Sequence, residues 1–256
     1  MADSEKYKLD EKGSSRRKFL RNSGMAAGGV VVGGVFGGII GFGGEEKEQD
    51  IATEHEPAAT PTENPNAALM FFTPAQYQTT MAAAERIYPA DDNGPGAAEL
   101  DVAIYIDHQL ASPWGINAKD YMAGPFYPAE ETQQTQIRIL RKDLFLLGLT
   151  ALNNYSNEKF DGDFTSLDAE QQDEVLTHFE QGEYKIGGIS SAVFFTMLRG
   201  LTIEGAYADP LYAGNKDMQG WAMRQFPGSR MNYNNEIKSK EFIELDPQGL
   251  RSHMGH

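Results

Sequence analysis

Three groups of residues have types and spacings that can do chemistry, and each has a plainer use. Gly188-Ile189-Ser190-Ser191-Ala192 places serine among small residues, as a nucleophile elbow does. That device needs a strand before the serine, a glycine after it, and an acid and a histidine further on. Here the preceding residues are polar, and the later histidines, His253 and His256, lie in an end expected to fray. Ser190 therefore reads better as a helix N-cap. The pairs Glu204 with Asp209 and Asp101 with Asp107 could share general acid and base work. With 37 acidic residues in 256, closeness along the chain says little about pairing. Asp107-His108 joins two metal-binding types, but adjacent helical residues point in different directions and no third ligand is suitably spaced.

Redox chemistry is more tightly bounded. The chain has no cysteine, which removes thiolate-held iron–sulfur and zinc sites and covalently attached c-type haem. The glycines from Gly28 to Gly38 follow a basic cluster instead of a strand, so they do not make a dinucleotide fingerprint. The expectation is no catalytic residue, no metal site and no cofactor in this chain; a redox group would belong to a partner. A net charge of −15 also argues against a nucleic-acid face, which needs clustered cations to neutralise phosphates.

The dense basic cluster has another use. Ser15-Arg16-Arg17-Lys18-Phe19-Leu20-Arg21 fits a twin-arginine export signal, with Arg16, Arg17, Phe19 and Leu20 as its defining residues. The uncharged stretch from Gly24 to Gly44 could span a hydrocarbon core of about 30 Å at about 1.5 Å per residue, and no Ala-x-Ala cleavage site precedes Glu45. Residues 1–44 thus read as a signal or a retained membrane anchor, placing the protein on the periplasmic or extracytoplasmic face. Gly29, Gly33, Gly37 and Gly41 would form a close-packing stripe on a membrane helix, although glycine richness is also ordinary in such signals. Residues 45–68, acidic and then rich in Pro, Thr and Ala, read as a flexible linker carrying a solvated His55.

A mostly α domain is expected over 69–235, built of about five helices with long irregular loops and followed by a tail over 236–256. Thr73-Pro74-Ala75-Gln76 supplies a cap, a first-turn proline and a capping-box glutamine for a helix with Tyr77, Met81, Ala84 and Tyr88 on one face. A second helix is expected from Ala97 to Leu110. The longest is expected from Glu130 to Tyr155, with a stripe of Ile137, Leu140, Leu144, Leu147 and Ala151. A fourth is capped by Thr165 or Ser166, with Asp168 and Glu170 in its first turn and His178 favourably placed at its end. The fifth runs from Ser190 to Glu204 with Val193, Met197, Leu198 and Leu201 inward. Nothing shows the alternation of a substantial sheet.

The segment after that fifth helix is the most distinctive. It holds Tyr207, Asp209, Pro210, Tyr212, Gly214, Asn215, Asp217, Gly220 and Trp221, and then Phe226 and Pro227. Large amphipathic rings on a glycine-punctuated loop suit partner binding, since Tyr and Trp dominate interface energetics. Each ring could equally plug the core between helices.

Here the sequence resembles the gluconate 2-dehydrogenase subunit 3 family. The pattern Thr-x-Glu-Gly-x-x-x-Asp-Pro-x-Tyr-x-Gly-Asn-x-Asp-x-x-Gly-Trp runs from Thr202 to Trp221 and is followed by Phe226-Pro227-Gly228. The likeness extends from Phe72 to Tyr233 and includes Arg86-Ile87-Tyr88-Pro89, Pro95-Gly96-Ala97, Asp107 and Gly124-Pro125-Phe126. Ala213 departs from the pattern, which more often has glycine there. The resemblance implies a non-catalytic small subunit that accompanies a large FAD-containing subunit of the glucose-methanol-choline type, in some complexes with a multihaem cytochrome c subunit. It also implies support for maturation and twin-arginine export of the flavin subunit. The alternatives are an independent exported enzyme using the acids near Glu204 and Asp209, or a membrane-tethered binding module.

Overall fold

The computed structural model describes residues 67–127 and 137–254. The expected export signal at Arg16, Arg17, Phe19 and Leu20, and the linker as far as residue 66, lie outside the described residues. So do residues 128–136.

Among the described residues five longer helices carry the domain, and the earliest of them begins as its cap residues dictate. Helix α1 is Pro74–Ile87, with the Thr73 side chain accepting from the Gln76 amide and the Gln76 side chain returning to the Thr73 amide. Its buried face is Thr79, Thr80, Ala83 and Ala84; Tyr77 packs beside it and Met81 is half-exposed. The second helix is shorter than expected. Residues 97–100 make one helical turn that ends at Asp101, whose φ of 56° is left-handed. The Val102 amide then reaches the Ala97 carbonyl and the Asp101 amide the Ala98 carbonyl, which closes the turn as a Schellman motif. Helix α2, Val102–Ala111, starts afresh beyond it.

The longest helix also starts later than expected: α3 is Arg141–Phe160, with Leu140 extended before it. Its opening amides are satisfied from far away in sequence, Arg141 by Asn117 Oδ1 at 2.8 Å and Lys142 by the Gly115 carbonyl at 3.0 Å. Packed against α1 and the helices that follow it, this helix turns Leu144, Phe145, Gly148, Leu149 and Leu152 inward, whereas Leu147 is 44% exposed. Helix α4 is Ala169–Glu180. It is capped by Asp168 with Gln171 in a capping box, not by Thr165 or Ser166, which lie in a single 3-10 turn over Phe164–Ser166. Two short strands, β1 Lys185–Ile186 and β2 Ile189–Ser190, pair antiparallel across Gly187-Gly188. Both glycines have positive φ, as a tight two-residue hairpin requires.

Helix α5, Ser191–Tyr207, is central, packing on α1, α2, α3 and α4. Phe145, Phe164, Phe179 and Phe194 are fully buried, and Phe145 and Phe179 pack on Phe194 in its first half. Phe194 meets Phe145 edge-on at 5.4 Å and lies against Gly148, where an added Cβ would come within 2.1 Å of the ring. Between α1 and α4, Arg86 holds Asp173 with two parallel bonds of 2.8 Å, so the guanidinium pKa is raised by its hydrogen bond to that carboxylate. The short helix α6, Gln219–Met223, closes the body against the end of α5.

Candidate partner-binding site

The last turn of α5 leaves carbonyls with no partner inside the helix, as every helix does. The loop that follows supplies their donors. Trp221 Nε1 donates to the Tyr207 carbonyl and Asn215 Nδ2 to the Ala208 carbonyl, both at 2.8 Å, while Asn215 Oδ1 accepts from the Gly220 amide at 2.8 Å. Asn215 is fully buried and Trp221 is 6% exposed. Backbone contact explains the glycines: a Cβ on Gly220 would lie 2.0 Å from the Ala206 carbonyl oxygen, and one on Gly214 2.5 Å from that of Gly205. Ala213 has φ 64° and ψ 176°, a region that belongs essentially to glycine. This accounts for the glycine preferred at that position in the resemblance.

Around this corner Asp209 caps its own turn through the Leu211 amide at 2.9 Å and accepts from the Leu250 amide at 2.7 Å. The end of the chain, expected to fray, returns here: Ser229 and Gln248 share a backbone bond of 2.7 Å, and His253 Nε2 lies 2.9 Å from the Ser229 carbonyl. Tyr207 is half-buried, with its hydroxyl 2.9 Å from that of Tyr88. Pro210 and Pro227 are half-buried and Asp217 is exposed. The large rings left facing outward are Tyr212, 53% exposed, and Phe226, 47% exposed and edge-on to Trp221.

Two hollows border the outer side of α5. One, of about 570 Å³, lies between α2 and the end of α5 and is lined by Tyr105, Ile203, Glu204, Tyr207, Asp209 and Tyr212 among others. Tyr105 bonds Glu204 Oε2 at 3.4 Å. Burial first, then the Glu204 charge and this bond, push the phenol up to about 12. The other hollow, of about 840 Å³, has an apolar floor of Leu144, Val193, Met197 and Leu201. Trp114 on its rim carries the Arg141 guanidinium 4.7 Å from its ring, and Arg141 also pairs with Asp120 at 2.7 Å.

The groups singled out for chemistry are put to structural use. Asp107 is fully buried and accepts three backbone bonds, from Met70 at 2.6 Å, Phe71 at 3.1 Å and Phe72 at 2.6 Å. His108 Nε2 sits 3.0 Å from the Ala68 carbonyl. The two residues fasten the chain's entry into the domain instead of sharing a ligand. Asp101 pairs with Lys216 at 3.7 Å. Ser190 occupies the N-cap position of α5, but its Oγ donates to the Gly182 carbonyl at 3.3 Å, and Ser191 Oγ donates to that of Phe179 at 3.0 Å. Among the described residues no group of three or more His, Asp or Glu is placed to hold a metal ion. No described helix is long and apolar enough to cross a membrane.

Asp107, Ser190, Ser191 and Asn215 are thus occupied with the chain's own backbone, while hollows and bare rings remain along α5 and the loop after it. The chain belongs to the gluconate 2-dehydrogenase subunit 3 family, whose profile matches residues 74–228. Comparison with curated proteins and with solved structures gives no match. By the family's description its members are one subunit of a multi-subunit dehydrogenase.

Proposed function

We propose that this chain is the non-catalytic small subunit of a membrane-associated, FAD-dependent dehydrogenase acting on sugar acids or alcohols. It supports maturation of the flavin subunit and carries it out of the cytoplasm on its own twin-arginine signal, with a multihaem cytochrome as a further partner in some assemblies. The observation that carries this reading is the family match over 74–228, which spans α5 and the loop after it as far as Gly228. A second support is the division within that corner: Asn215 and Trp221 are consumed in capping α5, while Tyr212 and Phe226 remain outside as contact rings.

The test is reconstitution. Co-expressed with the flavin subunit, the full chain should purify as a yellow, dye-reducing complex, and alone it should be colourless and inactive. Turnover by the isolated chain would sink the proposal. Replacing Arg16 and Arg17 with lysine should leave both subunits in the cytoplasm; unchanged export would remove the escort role.

A further inference from the structure

The hollow between α2 and the end of α5 has an unusual lining. Three tyrosines, Tyr105, Tyr207 and Tyr212, surround it with two acids, Glu204 and Asp209, and among the described residues no Lys, Arg or His lines it. Asp209 is committed to the Leu211 and Leu250 amides, so its charge is fixed in place. Glu204 is exposed, and the Tyr105 hydroxyl reaches it only at 3.4 Å, which leaves its carboxylate room for a stronger donor. Aromatic faces beside carboxylates favour a cation. Tyr207 already attracts one, with the Arg224 guanidinium 5.6 Å from its ring. The chain's net charge of −15 draws basic surfaces towards it before contact.

We infer that this hollow receives a lysine or arginine side chain of the flavin-bearing subunit, held by the Glu204 carboxylate and the tyrosine rings. The inference rests on the proposed function for the existence of that partner and goes beyond it in naming the pocket and the chemistry that fills it. At about 570 Å³ the space holds a basic side chain and part of the residues flanking it. Tyr212 forms part of both the hollow and the exposed face of the loop, so the two make one continuous contact surface.

The experiment measures dissociation constants between the full-length chain and the purified flavin subunit, at low and high salt, for the wild type, Glu204→Gln, Glu204→Lys and Tyr212→Ala. Glu204→Gln and Tyr212→Ala should each weaken binding about tenfold, and Glu204→Lys more. The salt dependence should become shallower in Glu204→Gln. Both positions are exposed, so far-ultraviolet circular dichroism should match the wild type. Wild-type affinity and salt dependence in Glu204→Lys would overturn the inference while leaving the subunit role intact. Failure of the wild-type chain to bind would overturn both.

Discussion

The two ends of α5 are held by different physics. At its start Phe194 is wedged among Phe145, Phe179 and Gly148, and the stabilisation comes from apolar area removed from water and from close packing. At its finish Asn215 and Trp221 donate into the last carbonyls while Gly214 and Gly220 press backbone against backbone. The first end asks for volume and apolarity, which several side chains provide. The second asks for one amide at one place, and few substitutions supply it. This contrast explains why the long idiosyncratic pattern begins only in the last turns of α5 and lies mostly beyond it.

Substitutions can break that contrast. The largest effect is expected for Phe194→Ala, which should cost about 3–5 kcal/mol of unfolding free energy through the cavity it leaves; urea denaturation measures it. The smaller truncation Phe194→Leu, which keeps most of the apolar side chain, should recover most of this, costing about 1–1.5 kcal/mol. At the other end even an isosteric change should fail. Asn215→Asp turns a carboxylate oxygen towards the Ala208 carbonyl and should cost about 2–3 kcal/mol. It should erase the near-ultraviolet dichroism of Trp221 while far-ultraviolet helicity persists. If Asn215→Asp proved as mild as Phe194→Leu, the two ends would not differ in kind.

Smaller effects sharpen the same boundary. Ala213→Gly should stabilise the protein by about 1 kcal/mol, because relief of the strained backbone outweighs the entropy glycine adds to the unfolded chain. A thermal melt in which it is destabilising would refute the strain. Tyr105 gives the last test. Its phenol is pushed up to about 12 in the folded state against an ordinary value of 10.0. Stability from this group is therefore complete below pH 10 and declines as pH rises towards 12. Absorbance at high pH should show Tyr105 titrating late, with Tyr77, raised by its own burial, also above its ordinary value. Glu204→Gln should lower that value only in part, since burial is the larger cause.

The helical class and the cap of α1 were legible from local pattern, because Thr73 and Gln76 satisfy each other within one turn. The start of α3 was not, because its amides are met by Asn117 and Gly115, more than twenty residues earlier. Asp168 displaced Thr165 and Ser166 as the α4 cap because buried Phe164 holds those residues in a 3-10 turn. Around α5 the sequence marked the right stretch but could not sort inward rings from outward ones. Trp221 and Tyr212 look alike as anchors until the Tyr207 carbonyl is seen to take the indole proton. Asp107 carried a weak signal of its own, a lone acid among the apolar residues of Val102–Leu110, which more often marks a buried acceptor than a ligand.

That carboxylate has a mechanical consequence. Three consecutive amides, Met70 to Phe72, end on one side chain in the middle of α2, so a pull transmitted along the residues that precede them passes the Ala68 bond to His108 and is then met by a triple mooring deep in the body. It works like the strain relief on a cable. A molecule pulled by its leading end would take the tug at Asp107, leaving the far corner beyond α5 undisturbed.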